Sequence, residues 1–160
     1  MLEFVLTRKI IGPGYMKGEL AIEGTTFRCL TLEAKDPRGH QQAANVALTY
    51  AIPAGKYPVI YRVYSYFPLT PYIICKPYKK ISLVMYQRFF KPGCIAVGRK
   101  FAWGKLLMGF DEVMEGLQEL VRTNYHPYGS LIVNYDNHCT YEEEDLEVKD
   151  YNFLAREEAV

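Results

Sequence analysis

The 160-residue sequence lacks the features that mark a metal site, a disulfide framework or a membrane span. Its four cysteines form no C-x-x-C pair, and their wide spacing fits neither a zinc ribbon nor a small disulfide-linked domain. No window approaches the ~20 apolar residues of a membrane-spanning helix, and no signal-peptide pattern opens the chain. We therefore expect a soluble, cytoplasmic protein with no cofactor, no bound metal and no membrane partner.

An excess of charge of one sign is also missing. The 19 basic side chains balance 18 acidic ones, so no global field draws the protein to nucleic acid. Aromatic residues, in contrast, are abundant, with 14 Tyr and 8 Phe, and they suit half-buried positions in a β-sheet. One set of tyrosines either packs within such a sheet or forms a stacking surface for a ligand: Tyr61, Tyr64, Tyr66, Tyr72, Tyr78 and Tyr86.

Alternating apolar residues and turn signals predict strands over the first two-thirds of the chain. The segments LEFVLTRKI, GELAIEG and TFRCLTLE are separated by glycine-containing turns and form a predicted β-meander. The more continuously apolar segments KKISLVMYQ and CIAVG predict central strands.

Only one segment has helical spacing of its apolar residues. A long helix near residues 111–125 is predicted because these residues fall on one face: Val113, Met114, Leu117, Leu120 and Val121. The sequence thus predicts a single β-rich α+β domain over residues 1–135. Its mostly antiparallel sheet of roughly six to eight strands can take a barrel-like form. An acidic C-terminal tail follows over residues 136–160.

Three motifs in order resemble a family of uncharacterised small domains found in bacteria and phages. They are T-L-E at residues 31–33 with Asp36, A-I-P-x-G-x-Y at residues 51–57, and G-C-I-x-x-G at residues 93–98. The G-C-I segment is also similar to the S/T-H-G-C-I-R segment of L,D-transpeptidases, whose cysteine accepts an acyl group from a peptidoglycan stem peptide. This resemblance implies a nucleophilic role for Cys94 and a cell-wall peptide as its substrate.

The sequence departs from both families just before that cysteine. Members of the small-domain family carry I-H-x-G-N there, and the transpeptidases place a catalytic histidine upstream. This chain has ISLVMYQRFFKPGC instead, with Tyr86 and Gln87 near the expected histidine and Gly-Asn. The missing histidine favours a degenerate site that binds a partner without catalysis.

A catalytic Cys94 needs help to ionise, since a thiol with a pKa of about 8.5 is only a few per cent thiolate at neutral pH. Cations at Arg88, Lys91, Arg99 and Lys100 could lower that pKa, but none is a proper base. His40, in the polar loop at residues 36–45, is the histidine best placed to reach Cys94 across the fold. The alternative is that Cys94 is a small buried residue opening a core strand.

Glu33 and Asp36 form a second candidate site, either as an acid/base pair or as solvated loop carboxylates. Two functions remain open from the sequence. One is a non-catalytic interaction domain that binds a cell-wall peptide or a protein through the tyrosines and the polar loop at residues 36–45. The other is a cysteine acyltransferase or peptidase acting on cell-wall peptide. The candidate binding residues are Glu33, Asp36, Tyr86, Gln87, Arg88 and Arg99.

Overall fold

The computed structural model describes residues 1–40, 42, 45–64, 67–78, 80–104 and 106–142. Its strands, in chain order, are β1 (Glu3–Ile11), β2 (Met16–Ile22), β3 (Arg28–Glu33), β4 (Gly55–Tyr64), β5 (Phe67–Ile74), β6 (Lys80–Ser82), β7 (Ala96–Gly98), β8 (Lys100–Ala102), β9 (Leu106–Met108) and β10 (Tyr128–Tyr141). Its helices are α1 (Val46–Thr49), a 3-10 turn at Gln87–Phe89, and α2 (Phe110–Thr123).

Eight strands form one mixed but mostly antiparallel sheet in the order β6-β5-β4-β10-β1-β2-β3-β7. Only β1 and β10 run parallel, with Glu3 opposite Ser130 and Leu6 opposite Val133. Strands β8 and β9 pair separately as a hairpin. The β-rich α+β prediction is therefore correct at this level.

The sheet curls strongly into a half-barrel, and its two edges meet. The Ile95 N–H donates to the Ser82 carbonyl (3.3 Å), and the Val97 N–H donates to the Met85 carbonyl (3.1 Å). The prediction that KKISLVMYQ and CIAVG form central strands was wrong, because β6 and β7 are the two edge strands. Residues at this contact are nevertheless buried: Ser82 at one edge, and Ile95, Ala96 and Val97 at the other.

Alternation along β1 decides which side chains face the inside of the half-barrel. Phe4, Leu6 and Arg8 are all fully buried on one face, while the residues between them are more exposed. The apolar face of α2 packs against β5 and β7, and its residues Val113, Met114 and Leu117 belong to the same core. Arg8 is thus placed inside the protein by the same periodicity that places Phe4 and Leu6 there.

Two α-helices occur within the described ranges, where the sequence predicted one. Helix α2 spans 14 residues and begins at Phe110, next to the expected start, while α1 has four residues and lies in the predicted polar loop. Strand β10 continues to Tyr141, past the predicted domain end at residue 135. The rest of the predicted acidic tail, residues 143–160, lies outside the described residues.

Candidate functional site

Cys94 lies in the bend that leads into β7, and its side chain is buried, with 5% of the residue exposed. The preceding residue, Gly93, has φ +89°, and a Cβ there would lie 2.5 Å from Cδ1 of the Tyr78 ring. Glycine is needed at this position both for the left-handed backbone and for the close approach of the ring. The turn therefore faces a packed aromatic side chain.

Burial raises the pKa of the Cys94 thiol above its ordinary value. A hydrogen bond from the Ser82 backbone and the charge of Lys91 act in the opposite direction but do not outweigh burial. The predicted cations Arg88, Arg99 and Lys100 are not among the groups that shift this pKa. The environment thus favours the neutral thiol, which is the poorer nucleophile.

His40, the predicted partner of Cys94, is exposed and stacks on Tyr50, with ring centroids 4.7 Å apart and an interplanar angle of 12°. No hydrogen bond joins His40 to Cys94 within the described part of the chain. Tyr78 connects the two regions instead: its ring covers Gly93, and its hydroxyl lies 2.8 Å from the carbonyl oxygens of both Tyr50 and Ala51. Among the described contacts, His40 therefore partners Tyr50 rather than Cys94.

Glu33 is a buried partner of Arg8, so its interpretation as a solvated loop carboxylate was wrong. Nε of Arg8 donates to Oε1 of Glu33 (3.0 Å), and Nη2 donates to Oε2 (2.7 Å) and to the Ile52 carbonyl (2.7 Å). Burial acts to lower the pKa of Arg8, but Glu33 and Tyr135 outweigh it and raise that pKa above its usual range. Both charges are compensated inside the core.

This buried pair continues to the surface through Tyr135 and Asp36. Nη1 of Arg8 donates to the Tyr135 hydroxyl (3.1 Å), which in turn donates to Oδ1 of Asp36 (2.7 Å). Arg38 bonds the same carboxylate and lies 4.0 Å from the centroid of the Tyr135 ring. Glu33 and Asp36 therefore belong to one network through Arg8 and Tyr135. Glu33 is paired with Arg8, and Asp36 is paired with Arg38.

Sequence reasoning missed Arg8 and Tyr135, which hold this network together. Arg8 could have been noticed as the charged residue in the inward row of β1, in register with Phe4 and Leu6. The pairing to Glu33 has no local signal, because the two residues are 25 positions apart in the chain. Every Arg8 side-chain nitrogen has a protein partner, so the network serves to anchor the loop after β3 to the core.

The predicted binding residues at positions 86–88 lie at the start of the 3-10 turn, with Tyr86 directly before it. One of the three is buried and two are exposed. Gln87 is buried, and its Oε1 accepts from the Leu107 N–H (2.8 Å), which fixes the turn to β9. Tyr86 and Arg88 point outward, and the guanidinium carbon of Arg88 lies 5.8 Å from the centroid of the Phe89 ring. Gln87 therefore positions its exposed neighbours.

Tyr86 is the centre of an aromatic cluster in which Tyr86 and Phe89 are exposed and Phe110 is buried. Its ring lies 5.2 Å from that of Phe110 and 6.2 Å from that of Phe89, measured between centroids. Tyr86 is 37% exposed and Phe89 is 53% exposed. Beside them is a groove of about 260 Å³ lined by Tyr86, Leu107, Met108, Gly109, Phe110, Asp111 and Glu112. We call this feature the Tyr86 groove.

The other candidate residues that the structure describes do not line the Tyr86 groove. Arg99 is exposed, and its Nη1 donates to the Arg28 carbonyl (3.2 Å). Tyr78 is buried and Tyr61 is half-buried, 6.5 Å from the ring of Tyr125. Tyr66 lies outside the described residues, as do Gln41, Ala43 and Ala44 of the polar loop. Tyr86 is the member of the set that lines the groove.

Among the residues that the structure describes, no group of three or more His, Cys, Asp or Glu could hold a metal ion. Within that same part of the chain, no helix has the length and apolar character needed to cross a bilayer. Comparison of the chain with family models, with curated proteins and with solved structures gave no match. The resemblance to the small-domain family and to L,D-transpeptidases therefore depends on the quoted motifs alone.

Proposed function

We propose that this protein is a non-catalytic binding domain that holds a peptide, presented by a protein or by the cell wall, in the Tyr86 groove. The observation that carries the proposal is the aromatic cluster of exposed Tyr86 and Phe89 with buried Phe110, beside a groove of about 260 Å³. Tyrosine and other aromatic residues supply large contact areas at low entropic cost and dominate the energetics of binding surfaces.

The backbone that carries the groove residues is held in place by the core, and this also favours binding. Gln87 is buried and fixes the 3-10 turn to β9, so Tyr86 and Phe89 are presented from a braced backbone. The groove floor is formed by β9 and the start of α2, which are also parts of the folded core. A preformed site of this kind loses little conformational entropy when a ligand binds.

The chemistry of Cys94 supports the non-catalytic half of the proposal. A cysteine nucleophile needs an accessible thiolate and a base within reach, but this thiol is buried and its pKa is raised. The sequence-based alternative, a cysteine acyltransferase or peptidase acting on cell-wall peptide, requires the opposite environment. The rate at which iodoacetamide alkylates Cys94 separates the two functions.

A random short-peptide display library tests the proposal directly. We expect the wild-type protein to enrich peptides that bind Cys94→Ala equally well and that are lost with Tyr86→Ala. Tyr128→Ala is the matched control, because Tyr128 is also an exposed tyrosine but lies on β10, outside the groove. If no enriched peptide depends on Tyr86, or if Cys94→Ala folds normally and loses all binding, the proposal is wrong.

A further inference from the structure

The Tyr86 groove combines an apolar floor with a carboxylate rim. Leu107, Met108 and Phe110 are the apolar part of its lining, and Leu107 and Phe110 are buried. Tyr86, Asp111 and Glu112 also line it and are exposed. Apolar surface next to exposed carboxylates matches a side chain with an aliphatic stem and a cationic head. Aromatic rings add to this match, because their faces attract cations.

The two rim carboxylates, Asp111 and Glu112, have no cationic partner among the described residues. Other acidic residues with a basic neighbour form ion pairs, as Glu19 does with Arg28 (2.8 Å) and Asp36 does with Arg38 (2.9 Å). Within the described part of the chain, neither Asp111 nor Glu112 forms an ion pair.

Two arginines of the described chain near this region are engaged elsewhere. Arg88 lies over Phe89, and Arg99 donates to the Arg28 carbonyl. The dipole of α2 accounts for acidic residues in its first turn without any ligand. The acidic pair alone would therefore define no site. The inference depends on apolar and aromatic residues lining the same groove as the two carboxylates.

We infer that the Tyr86 groove binds a peptide through one lysine side chain. The four-carbon stem lies along Leu107, Met108 and Phe110, and the ammonium group lies between the Tyr86 ring and the carboxylates of Asp111 and Glu112. This inference rests on the proposed function and names the ligand class that the same groove selects. It follows from charge complementarity between a cationic head and an unpaired carboxylate rim.

Four peptides of the form acetyl-Gly-Ser-X-Ser-Gly-amide test the inference, with X as lysine, acetyl-lysine, norleucine or glutamate. Amide chemical shifts of the labelled full-length protein report which residues each peptide contacts and how tightly it binds. We expect the lysine peptide to shift the amides of Tyr86, Met108, Asp111 and Glu112. We expect the acetyl-lysine and norleucine peptides to bind about fivefold more weakly, since an exposed charge contact is worth up to ~1 kcal/mol.

The double variant Asp111→Asn/Glu112→Gln should lose the same roughly fivefold preference for lysine. Its control is Glu3→Gln/Glu23→Gln, which neutralises two exposed carboxylates outside the groove and should bind like wild type. Equal binding of the lysine and norleucine peptides in the groove would overturn the lysine inference and leave the proposed function standing. Binding of none of the four peptides would overturn the lysine inference as well. Failure of the proposed function is recognised separately, by the absence of any Tyr86-dependent peptide in the display library.

Discussion

Glu33 receives hydrogen bonds from Arg8 on both of its carboxylate oxygens, although both side chains lie inside the half-barrel with at most 1% exposure. A buried ion pair of this geometry contributes little net stability compared with an apolar pair, but loss of one partner leaves an uncompensated charge. The pair therefore makes the fold dependent on two residues from different strands.

Glu33→Leu should lower the free energy of unfolding by about 3–5 kcal/mol, because it leaves the Arg8 guanidinium buried without a counter-charge. The double variant Arg8→Met/Glu33→Leu should be less destabilised than Glu33→Leu alone. Urea unfolding measures both effects. The control Glu19→Gln, which removes a partly exposed partner of Lys9 and Arg28, should cost less than about 1 kcal/mol. A cost as small as this for Glu33→Leu would contradict the proposed anchoring role.

Gly93→Ala should destabilise the protein by about 2–5 kcal/mol, since it adds a Cβ against the Tyr78 ring at a left-handed backbone position. The matched control is Gly104→Ala, where φ is +76° but no atom lies within 4 Å of the added Cβ. That control should cost only about 1–2 kcal/mol. Chemical denaturation of both variants isolates the contribution of the ring contact, and equal losses would show that Tyr78 imposes no steric constraint.

Acid should weaken the loop anchor at Asp36. Burial by itself raises the pKa of Asp36, but hydrogen bonds from Arg38 and Tyr135 outweigh it and lower the pKa below the ordinary value. A lowered pKa means that the folded state binds this proton less readily than the unfolded chain does. The stabilisation is therefore complete above about pH 4 and is lost as the pH falls through the lower folded pKa.

Asp36→Asn should consequently show a shallower loss of stability below about pH 4 than the wild-type protein. Urea midpoints measured from pH 2 to pH 6 provide the comparison. Glu3→Gln, which removes an exposed carboxylate on β1, is the control and should keep the wild-type slope. An unchanged slope in Asp36→Asn would mean that Arg38 and Tyr135 do not stabilise the ionised carboxylate.

Alkylation by iodoacetamide at neutral pH should modify Cys94 at least about tenfold more slowly than a free thiol, because burial limits access and raises the pKa. Cys139 is an internal reference, since its side chain is partly exposed, and it should react faster. Peptide mapping by mass spectrometry gives both rates in one sample. Modification of Cys94 as fast as a free thiol would revive the cysteine-enzyme alternative.

Local sequence patterns located much of the fold but not the order of the strands. Alternation identified β1 to β3, and apolar spacing placed a helix where α2 lies. The segments around β6 and β7 resembled central strands because they are apolar on both sides. Their burial comes from the meeting of the two sheet edges, a long-range contact that leaves no periodic signal in either segment.

Some residues of the candidate site could likewise be predicted from the sequence, and others could not. Tyr86 was identified because it occupies the position of an expected motif, whereas Phe89, Met108 and Phe110 became its neighbours only through folding. Glu33 appeared to be a loop residue, since its partner Arg8 lies on another strand. Contacts between residues far apart in the chain, such as the Arg8–Glu33 ion pair, are therefore the part of this structure that could not be predicted from the sequence.

The parallel pairing of β1 with β10 has a consequence for synthesis of the chain. Residues near the N-terminus leave the ribosome first, but their partner strand begins at Tyr128. Until that strand emerges, β1 and β4 each have one open backbone edge, because β10 lies between them. A nascent chain stalled before residue 128 would therefore present two unpaired edges, which are sites for aggregation.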